Sequence, residues 1–217
     1  YETVLHVFSA GNDGTYTCSP YPPSYATVKT GWQSAKNVLT VGAMNQVDYS
    51  ITVFSSRGPV QDGRLKPEIV ASGLNVFSTW TLNRYGFNSG TSMSGPMVAG
   101  AATILNERYR QLNGGATPKA ALLKALMCNT AEDLGNPGPD FTFGFGLLNA
   151  RRAVEAMEGN RYFISTTTPA TYPITVPAGV RRLKVMLYWA DPAAAPNSAG
   201  TLINDLDLTV TAPGPAT

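Results

Sequence analysis

Gly90-Thr91-Ser92-Met93-Ser94-Gly95-Pro96-Met97-Val98-Ala99-Gly100 sets Ser92 where a glycine turn meets a run of small apolar residues that reads as a helix. A helix start offers backbone N–H groups without intrahelical partners and a partial positive charge. A hydroxyl held there is placed to attack a carbonyl, and the free N–H groups are placed to receive the resulting oxyanion. An ordinary N-cap serine occupies the same kind of position, so the surroundings must distinguish the two. Ser94, Gly95, Ala99, Gly100, Ala101 and Ala102 are small enough for other backbones to approach closely. Pro96 fits only a first turn or a kink.

Upstream, Val4–Ser9 reads as a buried strand running into the turn Ala10-Gly11-Asn12-Asp13-Gly14. A Pro/Tyr/Ser-rich loop follows to about Asn37, and Val38–Ala43 reads as a second core strand. Ile69-Val70 and Val76–Thr79 are shorter strand candidates, separated by loop signals such as Arg57-Gly58-Pro59. Downstream, Thr117-Pro118 opens a predicted helix through Asn129, and Asn149 caps another over Ala150–Met157. After Gly159 the period changes to two: Leu183, Val185, Leu187 and Trp189 alternate with Lys184, Met186 and Tyr188, and Leu206, Leu208 and Val210 with Asp207, Thr209 and Thr211. That pattern predicts antiparallel strands packed on one face and a boundary near residue 159.

With 43% apolar and 14% charged residues, the 217-residue chain has the balance of a globular protein. A net charge of +2 with scattered basic residues gives no footprint for nucleic acid, and no apolar run reaches the length of a membrane span. Cys18 and Cys128, the two cysteines, suit one disulfide or two free thiols. One histidine and no Cys-x-x-Cys make a zinc site a poor reading.

The α/β-hydrolase elbow Gly-x-Ser-x-Gly does not fit around Ser92, because the glycine comes one position late. The whole stretch Gly90–Gly100 instead resembles the nucleophile motif of the subtilisin-like serine proteases, the subtilases, where Gly-Thr-Ser-Met-Ala-x-Pro is usual. Ser94 departs from it by one hydroxyl, and Met97 stands where many members carry a non-catalytic histidine. Ala10-Gly11-Asn12-Asp13-Gly14 resembles the family's oxyanion-hole segment. Framework matches are Ala35–Ala43, Phe54-Ser55-Ser56-Arg57-Gly58-Pro59, Asp62–Ala71 and Gly144–Ala150, with Glu68 where Asp is usual and Ser72 where Pro is usual.

The resemblance implies an α/β fold, a subtilisin-like parallel sheet flanked by helices and present in part, followed by an antiparallel β-sandwich or jelly-roll segment. Residues 1–158 would be the C-terminal part of a catalytic domain and residues 159–217 the start of the jelly roll. The implied activity is peptide-bond hydrolysis through an acyl-enzyme. Ser92 is the implied nucleophile and Asn12 the oxyanion donor, with Gly11, Gly90 and Thr91 bordering the substrate. No cofactor is expected for catalysis. In the jelly-roll match, Asp191, Asn204, Asp205 and Asp207 offer oxygen ligands of the kind a structural Ca²⁺ takes, although acidic residues on the solvated face of an edge strand are the more ordinary reading.

The family's catalytic histidine and aspartate motifs are absent, and His6 reads as a core or edge histidine within a strand. Family chain order would place both motifs ahead of residue 1. The expectation is therefore a fragment, inactive alone, whose partners are polypeptide substrates and the missing N-terminal part of the same domain. Neither nucleic acid nor a membrane span is expected. Location outside the cell or at its surface follows from the resemblance, without a signal peptide in the chain. The rival is a non-catalytic pseudo-protease that binds through its β-domain. A third reading is a protein cleaved into two chains that stay associated.

Overall fold

The computed structural model describes residues 2–29, 31–196, 198 and 200–212. Its centre is a parallel sheet in the order β1-β2-β3, formed by β1 (Val7–Ser9), β2 (Leu39–Met44) and β3 (Ile69–Ser72), with Val7 opposite Leu39 and Val41 opposite Ile69. Every residue of β2 is buried, as a central strand covered on both faces requires. β1 is shorter than the stretch Val4–Ser9 suggested, and its outer edge is unpaired among the described residues.

Helix α1 (Thr91–Leu112) packs on the sheet through Val98, Ala101 and Leu105, spaced as one helical face. Gly95 lies against β1: a Cβ there would come within 3.0 Å of the Ser9 hydroxyl. Pro96 falls in the second turn, beyond the first-turn position expected, and the helix runs through it. The one bond it forgoes is to the Ser92 carbonyl, near an end where carbonyl pairing has only begun. Helix α2 (Ala120–Thr130) starts after Thr117-Pro118, with Lys119 as N-cap; the Ala120 N–H bonds the Glu2 carbonyl at 2.8 Å, a tertiary partner that replaces the expected side-chain cap. Helix α3 (Ala150–Glu158) is capped as expected, Asn149 Oδ1 accepting from the Arg152 N–H at 2.9 Å. Leu123, Leu126 and Met127 of α2 and Ala153 and Met157 of α3 close one core with the sheet.

A hairpin, β4 (Val76–Trp80) with β5 (Arg84–Asn88), stands out between the sheet and α1. Its second strand escapes sequence reading because no Asn-Gly-type turn announces it; Leu82 and Asn83 make the turn with φ of 58° and 55°. Among the described residues this is the one antiparallel sheet. The alternating stretches at 183–189 and 206–211 run extended without strand pairing, and Leu183 and Val210 remain 47% and 56% exposed.

Beneath the sheet sits a buried ionic triad. Glu68 Oε1 accepts from Lys66 Nζ and from Lys124 Nζ, each at 2.6 Å, while its Oε2 accepts from the Thr40 N–H at 2.7 Å. Each ammonium completes its three donors on oxygen: Lys66 on Val38 O and Thr40 Oγ1, Lys124 on Val38 O and Lys36 O. Desolvation pulls Lys66 down to about 8 against the attraction of Glu68. For Lys124 desolvation acts the same way and is the largest single influence, but the attraction and hydrogen bond of Glu68 with the added attraction of Tyr188 and Cys128 outweigh it and the pKa is raised.

Cys18 and Cys128 are both free thiols. Burial pushes Cys128 up to about 12, so it is neither accessible nor ionised. Iodoacetamide is expected to modify Cys18 alone in the native chain and both cysteines after denaturation, a mass difference of one adduct.

Candidate active site

The carboxyl ends of β1 and β3 meet the start of α1, the edge where open parallel sheets place ligands. β1 leads into Gly11 and Asn12. β3 leads through Gly73, whose carbonyl accepts the Gly90 N–H at 2.8 Å, so the chain returns from the hairpin to α1 at that point. Gly90 has φ 154° and ψ 162°, a conformation reserved for glycine. Gly11, at φ 107°, also needs glycine.

Thr91 ties these pieces together and is 1% exposed. Its N–H and its hydroxyl both donate to Asn12 Oδ1 at 3.0 Å, and its hydroxyl accepts from the Gly11 N–H at 3.2 Å. Its carbonyl accepts from Ser9 Oγ at 2.8 Å and from Ser94 Oγ at 3.0 Å. The extra hydroxyl of Ser94 is therefore buried and bonded. With Oδ1 committed twice, the Asn12 amide is turned so that Nδ2 points away from Thr91 and has no hydrogen-bond partner among the described residues. A Cβ placed on Gly90 would stand 3.5 Å from Asn12 Nδ2 and 3.7 Å from the Ser92 N. Two N–H donors thus border the same open spot, beside the exposed side chain of Ser92.

Residues not singled out in the sequence hold this arrangement. Ser56 Oγ accepts from the Asp13 N–H at 3.0 Å and the Ser56 N–H bonds Gly11 O at 2.9 Å, fixing the Asn12 turn from behind. Ser55 Oγ accepts from the Ala43 N–H at 3.0 Å. Both serines belong to a framework segment, the sole sequence signal for them.

His6 lies at the other end of β1, exposed, with its carbonyl bonded to the Leu39 N–H at 2.8 Å. Four residue rises of about 3.3 Å separate it from the loop at Ala10, about 13 Å along the strand. It is in no position to act as a base for Ser92.

Of the four expected calcium ligands, Asp191 and Asn204 lie together, Asn204 donating to the Asp191 carboxylate. Among the described residues no three His, Cys, Asp or Glu side chains cluster as metal ligands. The Asp191 carboxylate already accepts from Lys36 Nζ at 2.6 Å, from the Ile203 and Asn204 N–H groups at 2.9 Å and from Asn204 Nδ2 at 3.0 Å. A calcium ion would have to displace an ammonium and three N–H donors, while Asp205 and Asp207 are exposed. Among the described residues, no helix is long and apolar enough to cross a membrane.

Comparison with known proteins agrees with this geometry. The chain is 34% identical over 152 residues to a thermostable alkaline protease of Halalkalibacterium halodurans, a match covering 70% of this chain and 35% of the relative. It is 25% identical over 259 residues to the serine protease/ABC transporter B family protein tagA of Dictyostelium discoideum, covering 90% of this chain and 14% of the relative. The chain thus spans well under half the length of either. Among solved structures, the CspB protease of Clostridium perfringens superposes with a TM-score of 0.58 at 28% identity, over 64% of this chain and 30% of the other. The family description "Subtilase family" matches residues 1–146, and the chain belongs to the subtilase family.

Proposed function

We propose that this chain is the nucleophile-bearing part of a subtilisin-like serine endopeptidase acting on polypeptides. Ser92 Oγ attacks the scissile carbonyl carbon, giving its proton to a histidine supplied by residues outside 1–217, which an aspartate orients. Asn12 Nδ2 and the Ser92 N–H receive the oxyanion; collapse expels the amine and leaves an acyl-serine that water hydrolyses. Gly11 and Gly90 let the substrate backbone approach the nucleophile, while Thr91, expected at the substrate border, is buried and serves instead to hold Asn12 in place.

The observation that carries this reading is the double use of Asn12 Oδ1 by Thr91, which leaves Nδ2 unpaired beside the Ser92 N–H. The unpaired edge of β1 and the exposed Met97 and Ile104 on α1 support the further proposal that the rest of the domain, with its acid and base, packs there. We assign residues 159–217 to the start of a β-jelly-roll domain, because the extended, half-exposed apolar residues at 183–189 call for strand partners. Location outside the cytoplasm rests on the family resemblance alone.

Purified residues 1–217 are expected to show no turnover of a peptide substrate, since a serine without its base is a weak nucleophile. A longer gene product carrying the histidine and aspartate should be labelled by a fluorophosphonate at Ser92, and not after Ser92→Ala. Failure of a folded, processed gene product to label would refute the assignment and leave a non-catalytic binding protein.

A further inference from the structure

A dense polar knot joins Lys36 and Asn37 to residues more than 150 positions away, around Asp191. Lys36 Nζ spends all three donors there: on Asp191 Oδ2 and Pro192 O, both at 2.6 Å, and on Thr201 O. Asn37 grips the Asp191 backbone from both sides, Nδ2 donating to its carbonyl at 2.8 Å and Oδ1 accepting from its N–H at 3.1 Å. The Asp191 carboxylate in turn holds the Ile203 and Asn204 N–H groups, which fold 201–204 back over the knot. Asp191 is 4% exposed. Although desolvation works to raise it, the Lys36 ammonium and these amides hold its carboxyl below the usual range. Hydrogen bonds with at least one ionised partner, as all of those to this carboxylate have, are the strong ones.

From the knot the chain runs back along α2. The Tyr188 ring lies 4.8 Å from Lys124 Nζ, Met186 packs on the core that includes Cys128, and Lys184 Nζ bonds Ala131 O at 3.2 Å. A cavity of about 240 Å³ remains under this strap, lined among others by Lys66, Cys128, Met186 and Trp189. The ammonium groups of Lys66 and Lys124 beside it have no free donor.

We propose that Lys36 is the resident cation of the Asp191 knot, in place of any calcium ion, and that it clasps residues 184–192 and 201–204 against α2 as a tethered internal ligand. The clasp keeps water from Cys128 and from the Lys66–Glu68–Lys124 triad. It makes the segment beyond residue 159 part of the fold of the segment before it.

Cys128 reports on the clasp. In the full 217-residue chain, Lys36→Met keeps the length of the side chain and removes its charge and donors. Native-state alkylation of Cys128 should then rise roughly tenfold or more, the loss expected for a charged hydrogen bond that resists local opening. The Cys18 rate and the helical circular dichroism should stay as they were. An unchanged Cys128 rate overturns the proposal. Should Lys36→Met fail to fold, Asp191→Asn keeps the shape, removes the charge and turns one acceptor oxygen into a donor facing the Lys36 ammonium or the 203–204 amides, and its Cys128 rate decides in the same way. Lys29→Met, which breaks the exposed Lys29–Asp13 pair, should leave Cys128 protected. Equal opening in that variant would mean general destabilisation and overturn the clasp. Millimolar calcium should leave the wild-type melting temperature unmoved; a rise abolished by Asp191→Asn would make the knot a metal site and also overturn it.

Discussion

Glu68→Gln is expected to lose roughly 3–5 kcal/mol of folding stability, the cost of stranding a buried charge once its partner is removed. Two ammonium groups are affected at once, because Lys66 and Lys124 share one carboxylate oxygen. At about 2–4 °C per kcal/mol for a chain of this size, thermal unfolding followed by circular dichroism should show a drop on the order of 10 °C. A drop under about 2 °C would mean that the triad contributes no more than a surface ion pair.

The same group gives a pH signature. Folded Lys66 titrates at about 8 against 10.5 in the unfolded chain, so between those values the unfolded state binds more protons and stability rises with pH. Cys128, raised from 9.0 to about 12, acts with the opposite sign above pH 9. In the window from 8 to 9 Cys128 does not oppose Lys66, while Lys184, also held below its ordinary value by desolvation, acts with the same sign: melting temperature should rise across it in the wild type, and this rise should shrink in Lys66→Met.

The second large effect falls on catalysis. In the active protease proposed above, Asn12→Ala should lower kcat by roughly 10²–10³ with little change in KM, the loss that follows removal of the corresponding oxyanion-hole asparagine in a subtilisin. Asn12→Ala also removes the acceptor of two Thr91 bonds, so part of its effect would be structural. Asn12→Asp separates the two. It keeps an oxygen for Thr91 and replaces the Nδ2 donor with a negative charge facing the oxyanion. Fluorophosphonate labelling and steady-state kinetics should show it at least as impaired as Asn12→Ala, at near wild-type melting temperature. An active Asn12→Asp enzyme would remove Asn12 from the oxyanion hole.

What the sequence discloses follows the range of the interactions involved. Ser92, Thr91 and Gly90 are consecutive, and Asn12 sits in a turn whose residues are local, so both motifs can be read and the fold brings them together. Ser9 acts only through tertiary bonds and carries no local mark, and Ser56 is marked only as part of a framework segment. Glu68 is visible merely as a substitution for Asp, because its partner Lys124 lies 56 residues on. Asp191 misleads for the same reason: a carboxylate held by a distant lysine and one awaiting a metal share the same neighbours in the chain. The alternation at 183–189 separates two faces, but Met186 and Tyr188 lie against the core side while Leu183, Val185 and Leu187 stay exposed, and pairing needs a neighbouring strand, of which none lies beside it among the described residues.

The hairpin has a consequence for how this region tolerates change in length. Its neck is closed below the strands, by Gly90 N–H on Gly73 O at 2.8 Å and Asn75 N–H on Ser89 Oγ at 2.9 Å. Whatever happens at the tip, where Leu82 is 81% exposed, is mechanically insulated from Ser92. Loop closure grows costlier by only about 0.6 kcal/mol for each doubling of length. The tip is thus a grafting point, where a peptide of a dozen or so residues could be spliced in to add a recognition element a few residues from the nucleophile without resetting it.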